Sequence, residues 1–230
     1  MGKDGKRADA GFDMKNWQKD TWYNIAVCWD AEYIYIYQNG QLVRRTQVRG
    51  FKFTQPFNQL EIGRYLRTYN GGYMLMDDVM LYNGVLSDTE AKEATAEAKG
   101  EGVIPVQPVF SWSFETADGT PDTAGATFVG QRRGVSVSDG IHGKTLRVGV
   151  DKEAKNILSA AVRLPQSFGK DAGSVTFRVK PEGWQGSDKD FRNFIHLTNA
   201  AGESLSIYRL HNSDGAFIIK SELILCFVNN

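Results

Sequence analysis

WYNIAVCWDAEYIYIYQNGQLVRRTQV, residues 22–48, predicts a β-hairpin. Apolar and aromatic residues run up to Asn39-Gly40, and Leu42-Val43 continue beyond that pair. An Asn-Gly pair supplies the two positive φ angles that a type I′ turn requires, so it is a strong hairpin signal. We therefore expect two antiparallel strands joined by a two-residue turn.

Further strands and a short helix are predicted after the hairpin. Residues 60–65 read LEIGRY, and residues 76–93 read MDDVMLYNGVLSDTEAKE. Ser87 or Asp88 is the predicted N-cap, because an acidic residue follows three positions later and an Ala-rich segment continues from there. We expect a β-sheet protein with one short helix near residues 87–98.

This order of elements resembles the laminin-G-like, concanavalin A-type jelly-roll module of large bacterial surface and secreted proteins. The resemblance implies an all-β fold, an antiparallel two-sheet sandwich with one short helix. It does not imply one function, because the family is used for very different ligands. Five short motifs carry it: the Trp-x-x-Ile-Ala-Val strand at 22–27, the Tyr-x-Asn-Gly hairpin at 37–40, the Leu-x-Ile-Gly strand at 60–63, Asp-Asp-Val at 77–79 and Leu-Ser-x-x-Glu at 86–90.

The two parts of the chain resemble the family module in reversed order. Residues 1–98 resemble its closing half, and residues 109–230 resemble its opening half. The opening strand VFSWSFE at 109–115 alternates with period two, as a half-buried strand does. Residues 99–108 carry the Gly and Pro residues that are typical of a linker.

Two explanations of this order remain open. The chain is either an excerpt from a tandem array of modules or one circularly permuted sandwich in which the halves pack together. Burial of the open sheet faces and strand edges favours the packed, composite domain. It predicts that Cys28 and Cys226 lie on adjacent or nearly adjacent strands. Both lie in apolar runs that suit buried free thiols, and whether they are bonded stays open.

Composition excludes two classes of partner. Lys and Arg number 27 and so do Asp and Glu, so zero formal net charge offers no field for nucleic acid. No apolar run approaches the roughly 20 residues of a membrane span. The N-terminal sequence MGKDGKRADAGFD lacks the apolar core of a signal peptide, so we expect none within this chain.

Catalytic signals are weak. A glycosidase needs two carboxylates about 5 to 10 Å apart. Glu61 stands alone in its strand, Asp77 and Asp78 are adjacent and so point to opposite faces, and His196 in FIHLT suits a packed strand residue. We therefore expect that the protein is not an enzyme.

A structural calcium ion is implied by the resemblance. Such modules often hold Ca²⁺ between the first strand, with the turn after it, and the last strand beside it. Calcium takes six to eight oxygen ligands, commonly from loops. The matching candidates here are Asp78, Asp118 and Asp122, although Asp and Gly also favour turns that hold no metal.

Carbohydrate binding requires exposed aromatic planes beside polar side chains. Polar, Gly-rich segments surround several aromatic residues, and each of these residues could instead cover the edge of the core. The candidates for a ligand rim are Trp184, Tyr65, Arg67, Tyr69, Asn70 and Tyr73.

Three functions are compatible with these features. We favour a non-catalytic recognition or adhesion module of a larger extracellular or cell-surface bacterial protein, with a glycan or cell-surface polysaccharide as ligand and neighbouring modules as partners. A structural spacer without a ligand is one alternative. A glycoside hydrolase or lyase on the same fold is the other.

Overall fold

A computed structural model of the chain describes residues 7–50, 52–63, 72–95, 106–130, 134–140, 143–151, 156–186, 188, 192–211 and 221–228. Within these ranges lies one helix, α1 (Asp88–Thr95). The strands are β1 (Arg7–Asp13), β2 (Tyr23–Trp29), β3 (Tyr33–Gln38), β4 (Gln41–Gln47), β5 (Phe57–Ile62), β6 (Gly72–Asn83), β7 (Phe110–Trp112), β8 (Thr127–Phe128), β9 (Val135–Val137), β10 (Thr145–Asp151), β11 (Asn156–Leu158), β12 (Ala160–Phe168), β13 (Gly173–Glu182), β14 (Arg192–Thr198), β15 (Ser204–His211) and β16 (Ser221–Val228).

The strands form two antiparallel sheets, so the predicted all-β sandwich with one helix is confirmed. One sheet has seven strands in the order β1-β16-β15-β14-β5-β12-β8. The other has nine, with β11-β10-β6-β13-β2-β3-β4 as its main path, β7 on β6 and β9 on β10. The inner faces of both sheets bury one hydrophobic core.

Both sheets contain strands from the two parts of the chain. β5 lies between β14 and β12, and β6 lies between β10 and β13. These pairings leave neither part with an intact sheet of its own. The division into a closing half, a linker and an opening half stays a prediction about the origin of the chain.

The hairpin prediction is confirmed. Asn39 has φ 48° and Gly40 has φ 74°, the two positive values of a type I′ turn. The turn is tied to the helix, because the Gly40 N–H donates to the Thr95 hydroxyl at 3.0 Å. The local sequence therefore determines the turn, and a long-range hydrogen bond attaches the end of α1 to it.

The helix begins with a reciprocal cap at Ser87, one of the two predicted N-cap residues. The Glu90 N–H donates to Ser87 Oγ at 3.3 Å, and the Ser87 N–H donates to a Glu90 carboxylate oxygen at 2.7 Å. These two bonds satisfy backbone donors that the first helical turn leaves open.

A small second cluster lies under α1, on the outer face of the nine-stranded sheet. Every residue of β2 is buried, because Ile25 and Val27 face the core while Ala26 and Cys28 face the helix. This arrangement overturns the prediction that Cys28 and Cys226 lie on neighbouring strands. Cys226 belongs to β16 of the seven-stranded sheet, whereas the Cys28 side chain points away from that sheet.

Candidate functional site

A row of polar side chains crosses the outer face of the seven-stranded sheet. His196 on β14 is the register partner of Glu61 on β5 and of Ser206 on β15. Side chains alternate between the faces of a strand, and the neighbours Leu60 and Ile207 are fully buried in the core. Glu61, His196 and Ser206, which we call the polar row, therefore share the outer face.

The centre of the polar row is a hydrogen bond between two strands. His196 Nδ1 lies 2.7 Å from Ser206 Oγ, and both residues are only 6% exposed. Directly opposed residues of an antiparallel pair have Cβ atoms about 4.5–5.5 Å apart, so Glu61 and His196 are close neighbours as well. The row combines a hydroxyl, an imidazole and a carboxylate, which together donate and accept hydrogen bonds.

A β-bulge brings a fourth polar side chain to the same face. The β14–β15 register shifts between Asn193 and Ile195, and both Phe194 and Ile195 are buried in the core. Asn193 and His196 are three positions apart, so a regular strand would place them on opposite faces. The extra residue of the bulge reverses this, and Asn193 therefore faces outward with His196. Asn193 lies opposite Tyr208.

Asn193 is buried with its amide unused. The residue is 3% exposed, and neither Nδ2 nor Oδ1 has a hydrogen-bond partner among the described residues. Buried polar groups are nearly always hydrogen-bonded, so an open donor and acceptor on one side chain call for a partner. The polar row and Asn193 together form the candidate site.

Gly63 and Gly72, the described residues on either side of positions 64–71, lie beside this site. The Gly63 N–H donates to the Phe194 carbonyl at 3.2 Å. Gly72 approaches Arg192 so closely that a Cβ atom would lie 2.7 Å from the guanidinium. Both residues therefore lie at the start of β14, next to Asn193. Four predicted ligand residues, Tyr65, Arg67, Tyr69 and Asn70, lie outside the described residues.

Trp184 does not form the exposed aromatic surface that the sequence predicted for ligand binding. Trp184 is 3% exposed and donates from its indole N–H to the Tyr73 carbonyl at 2.8 Å. Two guanidinium groups flank the indole, with the Arg192 and Arg209 Cζ atoms 4.7 and 5.4 Å from the ring centroid. These contacts with other parts of the chain bury the ring, although the sequence around Trp184 is polar.

Tyr73 is brought next to Trp184 but is occupied by another contact. The Arg147 guanidinium lies 4.2 Å from the Tyr73 ring centroid, and Arg147 is bonded to both carboxylate oxygens of Glu182 at 2.6 and 2.7 Å. The half-buried ring thus has a cation on its face. Of the six predicted ligand residues, the structure places only Trp184 and Tyr73, and it joins them through the backbone of Tyr73.

The three calcium candidates each have a local partner. Asp118 accepts from the Thr120 N–H and hydroxyl, which lowers the pKa of its carboxyl group. Asp122 accepts from the N–H and hydroxyl of Ser113 at 2.6 and 2.8 Å. Asp78 pairs with the Arg178 guanidinium at 3.2 Å.

The strand placement behind the calcium prediction is correct, since β6 pairs with β7. Within the described ranges, however, no three His, Cys, Asp or Glu side chains are grouped so that they could hold a metal ion. Calcium binding stays a prediction that no contact of this structure supports.

Comparison with known families gives a match to the first part of the chain. Residues 2–92 match the family model Laminin_G_3, described as the concanavalin A-like lectin/glucanases superfamily. No curated protein matches the chain. The matched segment contains Glu61 of the polar row, while His196, Ser206 and Asn193 lie beyond it.

Proposed function

We propose that this protein is a non-catalytic module that binds carbohydrate, because residues 2–92 match the family model described as the concanavalin A-like lectin/glucanases superfamily. The resemblance inferred from the sequence motifs agrees with this match. A superfamily does not name a ligand, so the proposal depends on the chemistry of a site. That site is the polar row with Asn193.

The observation that supports the proposal is the polar row, with Asn193, on the outer face of the seven-stranded sheet. The partly exposed Glu61 offers a carboxylate at the surface. Beside it, the nearly buried His196, Ser206 and Asn193 add an imidazole, a hydroxyl and an amide that has no hydrogen-bond partner among the described residues. Sugar hydroxyl groups both donate and accept hydrogen bonds, so closely spaced groups of both kinds suit them. Rigid strands hold these groups in place.

The polar row itself contributes one carboxylate. The register partners of Glu61 are His196 on β14 and Ala161 on β12, neither of which is an acid. A glycosidase needs two carboxylates about 5 to 10 Å apart. The polar row therefore supports the proposal of binding without cleavage.

We place this activity in a larger extracellular or cell-surface bacterial protein, with neighbouring modules as partners. The match of residues 2–92 to the superfamily model motivates this placement. The one helix in the described residues, α1, is far too short to cross a membrane. A structural calcium ion remains part of the proposal, to be tested by the effect of EDTA on thermal unfolding.

Isothermal titration calorimetry tests the proposal. Chitohexaose, cellohexaose, xylohexaose and mannohexaose are each titrated into the wild type, into Glu61→Ala and His196→Ala, and into Arg44→Ala as a control on the exposed β4 strand of the other sheet. We expect one or more sugars to bind the wild type and the control, and binding to weaken about tenfold or more in the two site variants. Failure of every sugar to bind would favour a structural spacer, and release of shorter sugars would favour a hydrolase.

A further inference from the structure

We propose that the Asn39-Gly40 turn is a modification site, and that the helix α1 protects it. The modification is the conversion of Asn39 to aspartate or isoaspartate, a reaction that consumes water and needs no enzyme or cofactor. This inference is independent of carbohydrate binding. It starts from the hydrogen bonds of the turn, which hold the two groups that would react with each other.

The reaction joins an asparagine side chain to the next backbone nitrogen. The Gly40 nitrogen attacks Cγ of Asn39, the bond from Cγ to Nδ2 breaks, and ammonia leaves with the Gly40 amide proton. Water then opens the cyclic imide at one of its two carbonyl carbons, which gives aspartate or isoaspartate. Glycine carries no side chain that could shield its nitrogen, so an Asn-Gly pair suits this attack.

Both reacting groups are occupied in the folded protein. The Gly40 N–H donates to the Thr95 hydroxyl at 3.0 Å, and Asn39 Oδ1 accepts from the Asn24 N–H at 2.9 Å. The first bond directs the nitrogen toward α1, and the second holds the asparagine side chain beside β2. The Asn39 N–H also donates to the Asn24 carbonyl at 2.9 Å. The turn therefore has to open before the nitrogen can attack Cγ.

Thr95 is the residue through which the helix holds the turn. Its side chain is fully buried, and its hydroxyl donates to the Ala91 carbonyl at 2.8 Å. Because the one hydroxyl hydrogen is engaged with Ala91, the oxygen is oriented as an acceptor for the Gly40 N–H. Movement of α1 away from the hairpin removes this acceptor.

The helix is the element beside the turn that opens most readily. It has eight residues, and a helix of that length is marginal without tertiary packing. Its two buried residues, Ala91 and Thr95, face the second cluster and the hairpin rather than the main core. Elements with few buried contacts open locally more often than core strands do. Asn39 and Gly40 are only half-buried, so water reaches the turn when the helix moves away.

Isoaspartate prevents the helix from returning to its place. The main chain then runs through Cβ and Cγ of residue 39, and this longer path does not fit the two-residue turn that Asn39 and Gly40 form. The modified turn no longer presents the Gly40 N–H to Thr95. Opening of α1 is reversible, whereas the change in the turn is not. The fraction of modified protein therefore increases with the time that α1 has spent open.

Peptide mapping by mass spectrometry tests this inference on the full chain, incubated in mildly alkaline buffer. We expect Asn39 of the wild type to react about tenfold or more slowly in the folded protein than in urea, the effect of one or two net hydrogen bonds. Thr95→Val removes the hydroxyl at nearly constant volume and should raise the folded-state rate about threefold or more. Thr95→Ser keeps the hydroxyl, and Thr89→Val changes an exposed threonine of the same helix, so both should leave the rate unchanged.

A second variant loosens the helix without touching the turn. Leu86→Ala thins the cluster under α1 and should raise the Asn39 rate as well, with circular dichroism confirming that each variant is folded. The Asn70-Gly71 pair, which lies outside the described residues, serves as the reference reaction in every map. Equal Asn39 rates in the folded wild type and in urea would overturn the inference. So would a folded-state rate that neither Thr95→Val nor Leu86→Ala raises, since α1 would then not protect the turn.

Discussion

The Nδ1 atom of His196 lies 2.7 Å from the Oγ atom of Ser206 on the neighbouring strand, and both side chains are buried. The bond joins β14 to β15 at the centre of the candidate site. Removing one partner leaves the other with an unmet polar atom, which costs more than the bond itself contributes. This pair therefore links stability to the geometry of the site.

Ser206→Ala tests that link. We expect the free energy of unfolding, measured by urea denaturation, to fall by about 1–3 kcal/mol because Nδ1 of His196 loses this partner. Ser204→Ala, two residues away on the same strand and face, is expected to change it by less than about 0.5 kcal/mol. Equal effects of the two substitutions would show that the hydrogen bond does not stabilise the sheet.

The helix cap predicts a dependence of stability on acid. Hydrogen bonds from Ser87 lower the pKa of Glu90 below its ordinary value of 4.5. A lowered folded-state pKa stabilises the protein above pH 4.5, and that contribution is lost as the pH falls through the folded value. The difference in melting temperature between the wild type and Glu90→Ala should therefore be constant near neutral pH and shrink below pH 4.5. Glu93→Ala is the control, and a gap that widens in acid would contradict the cap.

We expect the Cys28 thiol to be unreactive in the folded protein. Burial under α1 raises the pKa of its thiol to about 11, so little thiolate forms at neutral pH. In a Cys226→Ser background, the thiol reagent DTNB should label Cys28 in urea but only very slowly in the native state. Leu86→Ala, which thins the cluster above the thiol, should speed the reaction. Rapid native labelling in the background variant would show that α1 does not protect Cys28.

Glu203 is a buried carboxylate that holds a distant turn. Its oxygens accept from the Thr54 N–H at 2.9 Å, the Gln55 N–H at 3.3 Å and Asn199 Nδ2 at 2.7 Å. Glu203→Gln replaces one acceptor by a donor that faces other donors, so we expect a loss of about 1–3 kcal/mol in urea denaturation. Glu32→Gln on the exposed β2–β3 turn is the control. An unchanged free energy in Glu203→Gln would mean that the turn is held by other contacts.

Features set by local sequence could be predicted. The positive φ angles at Asn39 and Gly40 and the cap at Ser87 depend on residues a few positions apart. The sequence does not indicate β1, because RADAGFD contains no run of β-branched residues. The strand forms because Ala8 and Ala10 face the core and its backbone pairs with β16.

The candidate site could not be predicted, because it depends on sheet order. In the sequence, Glu61, His196 and Ser206 each show only a polar residue between apolar neighbours, which indicates an outer face and nothing about neighbouring strands. The bulge at Phe194 that turns Asn193 outward leaves no local signal either. The polar segment around Trp184 predicts an exposed ring. The ring is buried because Arg192 and Arg209, from other parts of the chain, pack against it.

The most direct test of carbohydrate binding at the polar row is an NMR titration of the ¹⁵N-labelled protein with the tightest-binding hexaose of the panel. The account predicts that the amide shifts of residues 59–61, 193–198 and 204–208 move first and most. Shifts confined to β4, α1 or the outer face of the nine-stranded sheet, or no shifts at all, would contradict it.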